Sequence, residues 1–287
     1  MYREEIPYMK SDESDSTAEE RRGYWNMAIG LQAVDGIKPS VYLLNLAERS
    51  MSGELTYPEV ERLLTQYYTN QQSDSFEDAR EADFASSRIA HILASASFSL
   101  DAATLQDYHR MIFSEIRQDA GVWKTDDWIK HEPILYGDTV IYGSKDRVLK
   151  DLSTVFEHEK NTPYLQMDKT YVINRLSSLT SDIWRIHPFN EGNTRATAVF
   201  VSKYIRALGF TVDNAPFKEN SKYFRDALVR DNYQNLPSEV SRESMYIERF
   251  FDNLLYGGTH VLDSEDLMVH QLSDSPSAHR LLKGTHP

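Results

Sequence analysis

The chain has 287 residues, of which 44 are acidic and 31 basic, for a formal net charge of −13. That balance argues against a non-specific nucleic-acid binder, which needs a basic face to neutralise phosphates, while leaving room for a local basic pocket. There is no cysteine, so a disulfide scaffold, a thiolate zinc site and a cysteine nucleophile are all excluded.

Hydrophobic residues make up 40% and aromatics 11%, enough for a large core in one or two domains. No run of about 18 apolar residues occurs, and the opening MYREEIPYMK lacks the apolar region of a signal peptide. A soluble, cytoplasmic protein is expected, with neither membrane nor nucleic acid as a partner. Oligomerisation is left open.

In chain order, residues 1–19 read as an acidic tail, too polar to order itself. A small three-helix unit is expected over 20–70. Tyr24, Ala28 and Leu31 share one face of a helix starting near Ala18 and broken at Gly36. Pro39-Ser40 restarts the pattern, with Val41, Leu44 and Ala47 inward as far as Gly53. A third helix begins near Pro58, with Val60, Leu63, Leu64 and Tyr67 inward. The polar stretch 70–78 reads as a linker.

A second helical body is expected over 80–258. Its helices are Ala82–Ala96, Asp101–Phe113, Thr170–Arg185, Thr194–Leu208 (capped by Gly209), Ser221–Arg230 and Glu243–Leu255. A polar tail follows over 264–287. One segment departs from the helical pattern. The β-prone runs Ile134, Leu135, Tyr136 and Thr139, Val140, Ile141, Tyr142 flank Gly137-Asp138, a hairpin signal. Such a hairpin is either a surface excursion or a peptide-docking edge.

The run IHPFNEGNTRATAVF (186–200) carries the chemistry. Pro188 disfavours helical geometry at His187, and Gly192 relaxes the backbone before a new helix for which Asn193 is a good N-cap. Backbone N–H groups at that helix start suit an anion. Arg195 adds a cation matched to phosphate. Glu191 adds a carboxylate of the kind that holds Mg²⁺ beside phosphates, and His187 a base near neutrality. Transfer of a phosphate-containing group to a hydroxyl fits this set. A structural His187–Arg195 pairing is the bland alternative, and a His187–Glu191 zinc pair lacks a third ligand.

HPFNEGNTR resembles the Fic family motif, H-x-F-x-(D/E)-G-N-x-R-x-x-R, and the likeness extends over roughly residues 80–258. The resemblance implies an all-α Fic helical core with a β-hairpin flap for target docking (Ile134, Leu135, Tyr136, Thr139, Val140, Ile141). It implies transfer of AMP from ATP, with Mg²⁺, to a Ser, Thr or Tyr hydroxyl of a target protein, with self-modification and autoinhibition as further expectations.

By the resemblance, His187 is the catalytic base, Phe189 the loop anchor and Glu191 the metal ligand. Gly192, Asn193, Thr194 and Arg195 hold the nucleotide phosphates. Thr194 replaces the family's common glycine, and Ala198 stands where the family has the arginine that holds the γ-phosphate. Transfer of UMP, phosphate or phosphocholine is one alternative. A nucleotide-binding regulator with little turnover is another.

The N-terminal stretch RRGYWNMAIGLQAVDGIKPSVYLLNLAERSMSGELT resembles a VbhA-type antitoxin domain fused in cis. In that motif an inhibitory glutamate pairs with the γ-phosphate arginine. Here Leu31-Gln32-Ala33-Val34-Asp35-Gly36 aligns with it, so Asp35 is the candidate inhibitory residue, one methylene short. With Ala198 and Asp35 both altered, the usual clamp is expected to be absent.

Among weaker candidates, Lys218, Tyr223, Phe224 and Arg225 are set between base contacts and core. Trp123, Trp128 and Trp184 read as packing residues, and His91 and His109 as near-core histidines.

Overall fold

Thr17 opens the first helix with a full capping box. Its side chain accepts from the Glu20 N–H, and the Glu20 carboxylate accepts from the Thr17 N–H at 2.7 Å, satisfying two orphan donors of the first turn. This helix begins the computed structural model of the chain, which describes residues 16–69 and 77–276. The rest of the expected tails and most of the expected linker lie outside the described residues.

Ten α-helices follow in order among the described residues: α1 (Ala18–Gly30), α2 (Val41–Met51), α3 (Tyr57–Thr69), α4 (Glu77–Ala94), α5 (Ala102–Phe113), α6 (Val148–Glu159), α7 (Lys169–Ile186), α8 (Asn193–Ala207), α9 (Ala215–Asn232) and α10 (Met245–Tyr256). The fold is all-α. Its β content among the described residues is one isolated antiparallel bridge, Asn235 to Val240. No described helix is long and apolar enough to cross a membrane.

Helix α1 does not stand apart with α2 and α3. It packs on both α4 and α9, burying Trp25, Met27 and Ala28 completely. The approach to α9 is close enough to require Gly30, where a Cβ would lie 2.3 Å from the Phe217 carbonyl oxygen. A polar latch reinforces the junction. Asp83, buried on α4, accepts from the Ser40 N–H at 2.7 Å and from the Tyr68 hydroxyl at 2.7 Å. Ser40 is at the same time the N-cap of α2.

Four sequence expectations change. In α2 the inward residues are Leu43, Leu46 and Ala47, while Val41 and Leu44 face solvent. Helix α6, unanticipated, buries Val148, Leu152 and Phe156 on one face. The β-hairpin over 134–141 is replaced by a 3₁₀ turn, Pro133–Leu135, followed by Tyr136 and Gly137 in the left-handed region.

The reason for that last change lies in adjacent residues. Ile134 and Leu135 are both buried, and a strand with period two points neighbours to opposite faces. Thr139 to Tyr142 then have no regular secondary structure. Val140 points inward and Ile141 is 85% exposed. The stretch from Ser264, expected as a tail, forms two 3₁₀ turns as far as Leu272, with Leu267, Val269 and Leu272 buried.

Candidate active site

Helix α7 ends where His187 adopts left-handed geometry, φ 51° and ψ 62°, and its N–H donates to the Trp184 carbonyl at 3.0 Å. The turn feeds a five-residue loop whose shape is set by its own side chains. Asn193 donates to the Phe189 carbonyl at 2.8 Å and accepts from the Phe189 N–H at 2.9 Å. The amide side chain supplies a donor and an acceptor side by side, matching the N–H and C=O of one residue. The N-cap of α8 is accordingly Gly192, φ 75°, rather than Asn193. Any Cβ at Gly192 would meet the Phe113 ring at 2.4 Å.

Phe189 is fully buried, with its ring stacked on His109 (centroids 3.8 Å apart) and on Trp123 (5.1 Å). His109 does more than pack. Its Nδ1 accepts from the Gly121 N–H at 2.9 Å, so Nε2 carries the proton and donates to the Glu191 carbonyl at 2.9 Å. Burial lowers its pKa to about 4. Lys124, also buried, ties the outer strand of the loop. Its ammonium reaches the carbonyls of Gly143 and Ile186, and its N–H donates to the Pro188 carbonyl at 2.8 Å. Sequence reasoning takes His109 for a near-core histidine and does not single out Lys124; their signal is burial, which a single sequence does not report for an isolated polar residue.

His187 is buried, and neither ring nitrogen has a hydrogen-bond partner. Burial holds its pKa well below the ordinary histidine value, and the cations Lys130, Lys124 and Arg225 push it the same way, which favours the neutral imidazole. The Tyr142 ring lies over it with centroids 4.2 Å apart. Tyr142 is itself placed by Glu132, which accepts from its hydroxyl at 3.0 Å and pairs with Arg225 at 2.6 Å.

His187 lines a cavity of about 40 Å³, together with Asp35, Lys130, Tyr142, Glu191, Arg225 and the first turn of α8. Gly192, Asn193 and Thr194 contribute to that wall, and the Thr194 hydroxyl accepts from the Trp184 indole at 2.9 Å. Of the four candidates on α9, Arg225 reaches the cavity, while Tyr223 and Phe224 are core. The expected flap residues are not in its lining.

Arg195 points elsewhere. Its guanidinium meets Gln32 at 3.0 Å and Glu81 at 2.5 Å as hydrogen-bond acceptors, and Asp35 as an ion pair at 2.8 Å. Its planar face lies 4.6 Å from the Phe113 centroid. Asp35 thus contacts a motif arginine after all, though not the one the family resemblance implies. Ala198 at that other position is buried.

As to metal, no cluster of three or more His, Asp or Glu that could hold an ion occurs among the described residues. Of the two carboxylates in the cavity lining, Asp35 is paired with Arg195, and Glu191, half-exposed at the rim, is paired with Lys130. This donor set fits Mg²⁺ delivered on phosphate oxygens, the usual mode for that ion, and not a metal caged by protein.

Residues 99–205 match the family model described as Fic/DOC family. No curated protein matches the chain. Among solved structures, the chain is similar to the N-terminal Fic domain of a Bartonella effector protein (Bep) from Bartonella sp. AR 15-3, described as a substrate of the VirB T4SS. Identity is 16%, covering 66% of this chain and 86% of that one, with a TM-score of 0.52. It is also similar to the N-terminal Fic domain of Bep8 from Bartonella sp. 1-1C, at 15% identity, 65% and 88% coverage and a TM-score of 0.50. The chain therefore has the all-α Fic fold and carries a Fic/DOC family domain over residues 99–205.

Proposed function

We propose that the protein transfers AMP from Mg²⁺-bound ATP to a hydroxyl of a target protein, and that its N-terminal unit restrains this activity. The Fic/DOC family includes such transferases alongside others that move phosphate-linked groups. The observation that carries the reading is His187. It is a buried, neutral imidazole with two unpartnered nitrogens, facing a cavity at the start of α8 beside a half-exposed carboxylate.

In this reading His187 takes the proton of the acceptor hydroxyl as its oxygen attacks the α-phosphorus. A bond from that oxygen to phosphorus forms, and the bond to pyrophosphate breaks. Glu191 would hold Mg²⁺, which supplies charge neutralisation at the phosphates. The first turn of α8 supplies N–H donors.

Restraint follows from size and charge. About 40 Å³ holds a water or two, whereas nucleotide-sized ligands need hundreds of cubic ångströms. Asp35 both lines that cavity and pairs with Arg195, so ligand entry requires the Leu31–Asp35 turn to move.

A second reading rests on Ala198, buried in the position where a γ-phosphate arginine would stand. It favours a donor whose terminal phosphate is absent or held in another way, the alternatives being transfer of UMP, phosphate or phosphocholine.

Intact-protein mass spectrometry tests both. The wild type, Asp35→Ala and His187→Ala are incubated with Mg²⁺ and each nucleoside triphosphate in turn, with and without cell lysate as a source of targets. A mass gain of one AMP that needs His187 supports the first reading. A gain of another group supports the second. Nucleotide binding with no product on any protein would favour a regulator with little turnover.

A further inference from the structure

The cavity's cations do not come from where the motif places them. Arg195 is engaged by Gln32, Glu81 and Asp35 and is not in the cavity lining. Ala198 supplies none. Arg225 is in the wall, but its charge is matched at 2.6 Å by Glu132, a wholly buried carboxylate.

That leaves Lys130. Its ammonium stands at the rim, 2.7 Å from Glu191 Oε2, with a quarter of its side chain exposed. Its backbone is fixed on both sides. The Trp128 indole donates to Asn190 of the catalytic loop at 3.0 Å, and the Glu132 N–H donates to the Asp138 carbonyl at 2.9 Å. A lysine stem of four carbons pivots freely on such a fixed point.

We propose that Lys130 is a phosphate-binding residue of this site. Its ammonium exchanges Glu191 for ligand phosphate oxygens when a divalent cation takes up the carboxylate. The proposal rests on the anion-site reading above and adds its principal mobile cation. It carries a consequence that a structural ion pair would not have. Lys130 competes with metal for Glu191 in the absence of phosphate and cooperates with metal in its presence. Removing its charge therefore changes two affinities in opposite directions.

The test uses the full chain carrying Asp35→Ala, so that the turn over the cavity is released, with and without Lys130→Gln or Lys130→Arg. Mn²⁺ alone is titrated by electron paramagnetic resonance, and Mg²⁺ with inorganic pyrophosphate or ATP by calorimetry. Lys130→Gln should bind Mn²⁺ several-fold more tightly. It should bind both phosphates about tenfold more weakly, the equivalent of one charge-assisted hydrogen bond. Lys130→Arg should restore phosphate binding.

Unchanged phosphate affinity in Lys130→Gln overturns the proposal, as does a parallel fall in metal and phosphate affinity. If the parent protein with Lys130 intact binds neither pyrophosphate nor ATP, the anion-site reading itself fails, and the proposal with it.

Discussion

Nε of Arg195 lies 2.8 Å from Oδ2 of Asp35, and the same guanidinium is 2.5 Å from Glu81. Two carboxylates on one buried arginine leave it overmatched by negative charge, and Asp35, 37% exposed at its side chain, is the member that solvent can recover more cheaply. Asp35→Ala is therefore expected to raise the rate of transfer by about ten- to a hundredfold, the worth of one charge-assisted contact. Initial rates of labelling measure it. An Asp35→Ala rate no faster than wild type would remove Asp35 from regulation.

Replacing His187 by alanine removes the proton acceptor but none of the groups around the phosphates. Transfer should fall by at least about a hundredfold, the typical contribution of a positioned base. Nucleotide affinity by calorimetry should stay within a few-fold. Retained labelling would mean that another base does the work.

The pH dependence of stability, compared between wild type and a variant, separates His109 from buried His187, whose lowered pKa acts in the same direction. Its folded pKa, about 4, is below the ordinary 6.5 because of burial. Between those values the unfolded chain holds a proton that the folded chain refuses, so stability falls as pH drops from 6.5 towards 4. The full effect is about 3 kcal/mol at 1.36 kcal/mol per pH unit. His109→Gln keeps an acceptor for Gly121 and a donor for Glu191 but does not titrate. Urea unfolding at pH 7 and pH 5 should show a smaller loss in the variant than in the wild type. An equal loss would assign the effect to other groups.

Two glycines make opposite demands. Gly30→Ala puts a methyl group 2.3 Å from the Phe217 carbonyl and should cost about 2–3 kcal/mol by forcing α1 off α9. Gly36→Ala meets nothing within 4 Å, but its backbone sits at φ 72°, so its cost is backbone strain of about 1 kcal/mol. Thermal or urea denaturation of the pair should keep that order. The reverse order would mean that α1 is not firmly seated.

The helices are legible where apolar spacing is regular, as in α7 and α8, and the loop between them where Pro188, Gly192 and the polar run between those two residues break that spacing. The flap was misread because Ile134 and Leu135 have strand propensity, yet tertiary contacts bury both neighbours at once, and propensity cannot foresee that. Asn193 was read as a cap from its residue type alone, whereas its amide closes the loop. The Asp35–Arg195 pair was out of reach altogether. It depends on α1 packing against α4 and α9, a long-range arrangement with no local signature.

The two 3₁₀ turns after Asp263 have a practical meaning for anyone trimming the protein. The Val269 N–H donates to the Ile134 carbonyl at 2.9 Å, and the Tyr136 hydroxyl meets His270 Nδ1 at 3.0 Å, so this segment buttresses the loop that continues to Tyr142 above the histidine. A truncation at residue 258, just past the end of α10, cuts away that brace. A poorly active fragment ending there would report a loosened loop and would say nothing about the chemistry of the intact chain.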